Sequence, residues 1–286
     1  MIAAKLPFAI RAKFHHLLDF ARFAFSERNI LIGEARQITQ LGVTVANLAY
    51  QSDRKDILLD SFKPFVANLY GIWYASLAHH DAIQTLALSG HSLESMVLLR
   101  PHLESVLTFL YSTEPDRDLG QVEARLNRYR DWVIVKMKKN FDKSRRLDLV
   151  QALSKTQDFD HDIQHSYGAV KDGYADNPQE FKVLEDGFSF LTYNERVALA
   201  TRYDILNLYH HVFAESSAGI HFADVGDRMT ELGPSTYQYL IRRKKGAFWP
   251  IMLSNLLQIR ATRQFGRFFG IGSIVDSRIR DIMRPE

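Results

Sequence analysis

Leu93-Glu94-Ser95-Met96-Val97-Leu98-Leu99-Arg100-Pro101-His102-Leu103-Glu104-Ser105-Val106-Leu107-Thr108-Phe109-Leu110-Tyr111 is the stretch whose reading decides the fold. Its apolar residues recur at three- and four-residue intervals, the period of a helix with one buried face. Leu93, Val97, Leu107 and Tyr111 share one stripe, and Arg100 and Glu104 fall within about 20° of its centre. Two opposite charges four residues apart on an apolar face are expected to be mostly buried and to pair. Their partners would be each other or polar groups of a helix over 193–221, with Tyr209, Ser216, Ser217 and His221 foremost, because a lone charge is costly to bury. Pro101 removes an amide and frees the Val97 carbonyl, which the adjacent guanidinium is placed to use. The pair reads either as the polar centre of a ligand site or as a structural ion pair that sets helix register.

The same period extends along the chain in both directions. Helices are expected at about 6–26, 30–51, 61–89, 92–112, 119–140, 143–155, 178–186, 193–221, 235–245, 248–268 and 273–283. No alternating run bounded by hairpin turns stands out, and 15 Gly and 8 Pro in 286 residues make the chain turn-poor. The expected fold is therefore all-α, a bundle of about ten helices without significant β-sheet. Gly90 is suited to a left-handed helix end and Ser92 to capping the next helix. Thr192-Tyr193-Asn194-Glu195 reads as a capping box, and Gly233-Pro234 as a turn. Residues 157–177, with five Asp and few aliphatics, read as the most loop-like segment. The expected organisation is N-terminal helices over 1–60, a helical core over 61–230 carrying the motifs, and a basic helical segment over 231–286.

Composition excludes several chemistries. There is no cysteine, which removes disulfides, thiolate metal sites and cysteine nucleophiles. Phosphate-loop, dinucleotide-binding and kinase signatures are missing. The longest uncharged stretches are too short or too polar for a membrane span, and the start lacks a secretory cleavage site, so a cytoplasmic location is expected. Net charge is only +3, but residues 241–286 hold 10 basic against 3 acidic side chains. Arg242-Arg243-Lys244-Lys245 begins this island, and Phe248, Trp249, Phe265, Phe268 and Phe269 are interleaved with later arginines. Cations with aromatics between them suit a phosphate backbone with stacked bases. They also suit an anionic membrane surface, or a face pairing with the acidic segment of the chain or with another subunit.

Three further constellations bear on chemistry. His210, His211, Glu215, Ser217 and His221 crowd one helical stretch, but no strained strand-to-helix turn supports a serine hydrolase. Asp158, His161, Asp162 and His165 have metal-capable spacing, yet a solvated loop is the simpler reading; the EF-hand and paired Glu-x-x-His patterns both fail. His79-His80-Asp81 evokes the dyad of metal-dependent phosphohydrolases, without the further ligands such a site needs. No metal or other cofactor is expected.

The run from Ala87 to Tyr111, with Leu98-x-Arg100-x-x-x-Glu104, together with Tyr209 and Ser217-Ala218-Gly219-Ile220-His221, resembles a bacterial all-helical family of unknown function. That family is distantly similar to the HEPN class (higher eukaryotes and prokaryotes nucleotide-binding) of helical bundles, many of them defence and toxin ribonucleases. The resemblance carries Arg100, Glu104, Tyr111, Tyr209, Ser217 and His221 as site residues. The chain departs from it in two places. Phe222 stands where the family has Pro, and the Arg-x4–6-His spacing occurs only at Arg11 and His16. The function expected is a bacterial helical protein of defence or stress type that binds a partner, a second copy of itself or nucleic acid. Tyr111, Tyr209, Ser217 and the Arg242–Lys245 island would bind. The alternative is a metal-independent ribonuclease, with His221 as acid and base, Arg100 on the phosphate and Glu104 beside it.

Overall fold

The computed structural model describes residues 31–49, 64–114, 119–146, 156–187, 189–220, 229–233, 236–239 and 248–283. Ten helices lie among them: α1 (31–49), α2 (Pro64–Leu88), α3 (Ser92–Ser112), α4 (Leu119–Arg146), α5 (Thr156–Gly173), α6 (Pro178–Asp186), α7 (Tyr193–Arg202), α8 (Leu206–Ile220), α9 (Phe248–Phe268) and α10 (Gly272–Ile282). The fold is an all-α multi-helix bundle, with one two-stranded antiparallel hairpin of β1 (Met229–Gly233) and β2 (Thr236–Tyr239). No described helix is long and apolar enough to cross a membrane.

The stretch read first is the hub. α3 packs against α2, α4, α7, α8 and α9, as its apolar period requires of a helix buried on more than one side. A single apolar cluster joins Ile38 of α1, Trp73 of α2, Leu99 and Phe109 of α3, Leu126 of α4, Leu184 of α6, Val212 of α8, Phe265 of α9 and Val275 of α10. At its centre the Trp73 ring lies 4.6 Å from Phe265 and 5.3 Å from Phe109, so three helices meet on aromatic edges and faces. The turn from α2 into α3 needs Gly90, whose φ is 89°. With that left-handed residue in place, the His91 amide donates to the Leu86 carbonyl at 2.8 Å and closes the end of α2. α1 lies close on α2 at Gly42, where a Cβ would fall 2.3 Å from Leu77 Cδ2 and the leucine side chain would have to shift.

Several expectations change. Ser92 is the first residue of α3 rather than its cap; His91 holds the cap position and makes no side-chain capping bond. The segment read as a loop is largely helix α5. Its sparse apolar residues Ile163 and Val170 are buried, and Tyr167 and Tyr174 pack on Phe181 of α6, so a narrow stripe sufficed despite the Asp content. The single helix expected over 193–221 is interrupted. Asp204 turns left-handed at φ 54°, and the Ile205 amide returns to the Ala200 carbonyl at 2.8 Å. Aspartate tolerates that conformation better than most side chains. Helix 119–140 runs on to Arg146, replacing the break expected before 143. Thr236–Tyr239, expected to begin a helix, forms β2, because Thr and Tyr favour strands and the segment pairs antiparallel with Met229–Gly233. The expected helix 6–26 lies outside the described residues.

Candidate functional site

Ala67, Gly71, Ala75 and His79 recur every fourth residue of α2 and lie on one side of it. Their small side chains leave a hollow. Arg100, Glu104, Ser105 and Thr108 of α3 form a second wall, and Tyr129 and Trp132 of α4 with Phe190 form an aromatic third. The half-open cavity between these walls measures about 550 Å³, within the range of small-molecule sites. Phe190 is positioned by edge-on contacts to Tyr129 at 5.4 Å and Tyr111 at 5.5 Å.

The charges are arranged otherwise than the helical wheel implied. Glu104 accepts from Arg196 Nη1 of α7 at 3.2 Å, not from Arg100. Of the two kinds of partner expected for Glu104, the one from the 193–221 stretch is met, by Arg196 rather than by a hydroxyl or histidine, and the direct pairing with Arg100 is not formed. Both guanidinium groups approach the Phe213 ring of α8, Arg100 at 5.1 Å and Arg196 at 5.4 Å from its centroid. With Glu104 committed to Arg196, Arg100 lines the cavity and has no carboxylate partner among the described residues. Glu104 is half-buried, 27% exposed, so its ion pair is only partly desolvated.

Polar groups of other kinds face the same space. Ser105 Oγ lies 3.2 Å from His79 Nδ1 and 2.9 Å from the Pro101 carbonyl, to which it donates. Burial lowers the His79 pKa, which keeps the imidazole neutral at neutral pH. Burial raises that of Tyr129. Trp132 Nε1 is buried without a hydrogen-bond acceptor, a donor left over in the aromatic wall.

The remaining expected site residues are scattered. Tyr111 belongs to a separate cluster around Arg128, whose Nε alone lacks a hydrogen bond. That guanidinium donates to Tyr111 Oη at 3.1 Å and Glu195 Oε1 at 2.8 Å, and its Nε lies 3.5 Å from Glu180. Burial alone would lower the Arg128 pKa; the bonds to Glu195 and Tyr111 more than offset it and hold the pKa above its ordinary value. Glu195 is at once Arg128's acceptor and the third residue of the Thr192 capping box, which is formed as expected. Tyr209 is buried, and its ring packs on Phe213 at 4.7 Å, one helix behind Arg100. Ser217 lies in α8, but its side chain, with His221 and Arg242–Lys245, falls outside the described residues. His161 and Asp162 are more than 80% exposed. Among the described residues no three His, Asp or Glu side chains gather around a metal position. His79-His80-Asp81 divides three ways, with His79 at the cavity, His80 fully buried and Asp81 exposed.

Comparison with known proteins gives no relative. The chain matches no family model, no curated protein and no solved structure. The site is therefore read from its own chemistry. Sequence reasoning named His79 only within the His79-His80-Asp81 run and missed Ser105, Tyr129, Trp132, Phe190 and Arg196. The four-residue repeat of small side chains from Ala67 to His79 was the available signal for the cavity.

Proposed function

We propose that this chain is a binding protein whose cavity between α2, α3 and α4 receives a nucleotide unit, either free or within a single strand of RNA. The observation that carries the reading is Arg100: a guanidinium without a carboxylate partner, lining a cavity walled by Tyr129, Trp132 and Phe190. A nucleotide brings a flat ring for the aromatic wall and a phosphate for Arg100. Glu104 does not oppose the phosphate, because Arg196 already neutralises it. Neutral His79 and the Ser105 hydroxyl supply hydrogen bonds to a sugar or base edge. Within a strand, the Arg242-Arg243-Lys244-Lys245 island suits the flanking phosphates, in line with the nucleic-acid expectation.

Titration calorimetry of the full chain against adenosine, AMP, inorganic phosphate and a short single-stranded RNA tests the reading. Nucleotide or strand binding that weakens about tenfold or more in Arg100→Met, with adenosine binding little changed, is expected. Failure of AMP and of RNA to bind at millimolar concentration, or indifference to Arg100→Met, refutes it. Free and strand-borne sources are separated by a steep salt dependence, and by a loss on changing the four island residues to Gln, in the RNA arm alone. Analysing that RNA for cleavage reads the ribonuclease alternative, which requires the activity to vanish in His221→Ala.

A further inference from the structure

On the far side of α2 and α3 from the cavity, polar side chains enter the core where these helices meet α9. His102, Ser254 and Gln258 are each fully buried. Ser254 and Gln258 are one turn apart on α9, and His102 Nε2 lies 3.3 Å from the Ser254 carbonyl, which sets the ring against that turn of α9. The bond to that carbonyl makes Nε2 the protonated nitrogen and leaves His102 Nδ1 as a bare acceptor. Nδ1, Ser254 Oγ and both Gln258 amide atoms have no hydrogen-bond partner in the protein. The Ser76 carbonyl acts on the His102 ring, favouring its charged form, yet does not complete a bond to Nδ1. A few residues away the same layer is satisfied. His80 Nε2 donates to Asn255 Oδ1 at 3.0 Å, and its Nδ1 is met by Thr39 Oγ1 and Gln84 Nε2, each at 2.9 Å.

We propose that the contact between α2, α3 and α9 encloses a built hydration site, holding about two ordered water molecules on His102, Ser254 and Gln258. The chemistry selects water. All three side chains are neutral, so an anion finds no cation and a metal finds no carboxylate. The orphaned atoms comprise acceptors at His102 Nδ1 and Gln258 Oε1, a donor at Gln258 Nε2, and a hydroxyl able to act either way. One water donating to Nδ1 and to the free lone pair of the Ser76 carbonyl, while accepting from Gln258, supplies what the histidine lacks. A second between Ser254 Oγ and Gln258 Oε1 completes the set. Left dry, four buried polar atoms in one contact would be a heavy load for a marginally stable fold.

The sign of one stability change tests this. In a hydrated seam, Gln258→Leu removes the waters' anchor and lowers Tm by a few degrees. In a dry seam it replaces an orphaned amide with an apolar side chain of similar size and raises Tm. Water 17O magnetic relaxation dispersion on the full-length protein should show long-lived internal waters that diminish in Gln258→Leu. Ser254→Ala, a smaller change, should diminish them while leaving the circular dichroism spectrum unaltered, and it carries the test if Gln258→Leu fails to fold. A rise in Tm for Gln258→Leu, or a dispersion amplitude unmoved by Ser254→Ala, overturns the proposal.

Discussion

Lowering the pH from 7 to 5 should destabilise this protein by about 4 kcal/mol through two histidines. Burial holds the pKa of His80 down to about 4, with the Asn255 hydrogen bond opposing the shift. Burial, and next the nearby His80, hold that of His102 down to about 3. In the unfolded chain both return to about 6.5. Below that value the unfolded state binds protons that the native state refuses, so this contribution is complete above about pH 6.5 and is lost progressively toward the folded values. Each histidine loses about 1.4 kcal/mol per pH unit in the window, hence about 2 kcal/mol by pH 5. The figure is insensitive to the folded pKa, because neither native ring protonates before the window closes. Carboxylates, with ordinary values near 4, contribute little there. Urea unfolding at half-unit steps between pH 7.5 and 5 measures the slope. His80→Gln and His102→Gln should each be less stable at pH 7 but shallower by about 1.4 kcal/mol per pH unit, with the lowered pKa of His79 leaving a further slope of the same sign. A flat profile in wild type, or a slope untouched by both substitutions, would refute the assignment of these rings as buried and neutral.

Arg100 and Glu104 should behave differently from one another. Glu104→Gln is expected to destabilise by about 1–2 kcal/mol, with a coupling to Arg196→Met in a denaturant double-mutant cycle, whereas Arg100→Met should change stability by about 0.5 kcal/mol or less. Equal effects would mean that Arg100, not Arg196, holds the carboxylate. Arg128→Met leaves Glu195 held only by its capping bond to the Thr192 amide and frees the Tyr111 hydroxyl, and thermal unfolding should report a loss of about 1–2 kcal/mol. Gly90→Ala, placed at φ 89°, should lose about 1–2 kcal/mol by chemical denaturation with no change in far-ultraviolet dichroism; a neutral result would place the turn elsewhere.

Local structure was legible where side-chain periodicity and end chemistry agreed. The bounds of α6 and α9, the Thr192 box and the left-handed Gly90 all follow from residues within one turn of each other. What failed had a different cause in each case. Asp content masked the stripe of α5, and the one-residue reversal at Asp204 left the helical period on either side intact. The partner of Glu104 illustrates the larger limit. A wheel places Arg100 and Glu104 on one face of α3, but not the rotation of α7 that delivers Arg196 from 92 positions away in the sequence. The cavity was hidden for a related reason, since its aromatic wall comes from α4 and Phe190 and becomes a wall only once they are packed against α2.

Helix α2 presents Ala67, Gly71, Ala75 and His79 to the cavity, and Trp73, Ser76 and His80 to the core. Since consecutive residues of a helix are separated by about 100°, one inserted or deleted residue between Gly71 and His79 would rotate everything beyond it by that angle and put both faces out of register. A deletion would carry His80 to the position of His79 at the hollow, and a change ahead of Trp73 would put Ile72 or Tyr74 where its indole meets Phe109 and Phe265. Substitution and length change are thus unequal hazards in this segment. Ala75→Ser alters one wall of one cavity, whereas a single-codon insertion beside it miswires both sides of the molecule at once. Among homologous chains, α2 should accumulate replacements on its small-residue face while keeping its residue count between the Gly71 and His79 positions unchanged.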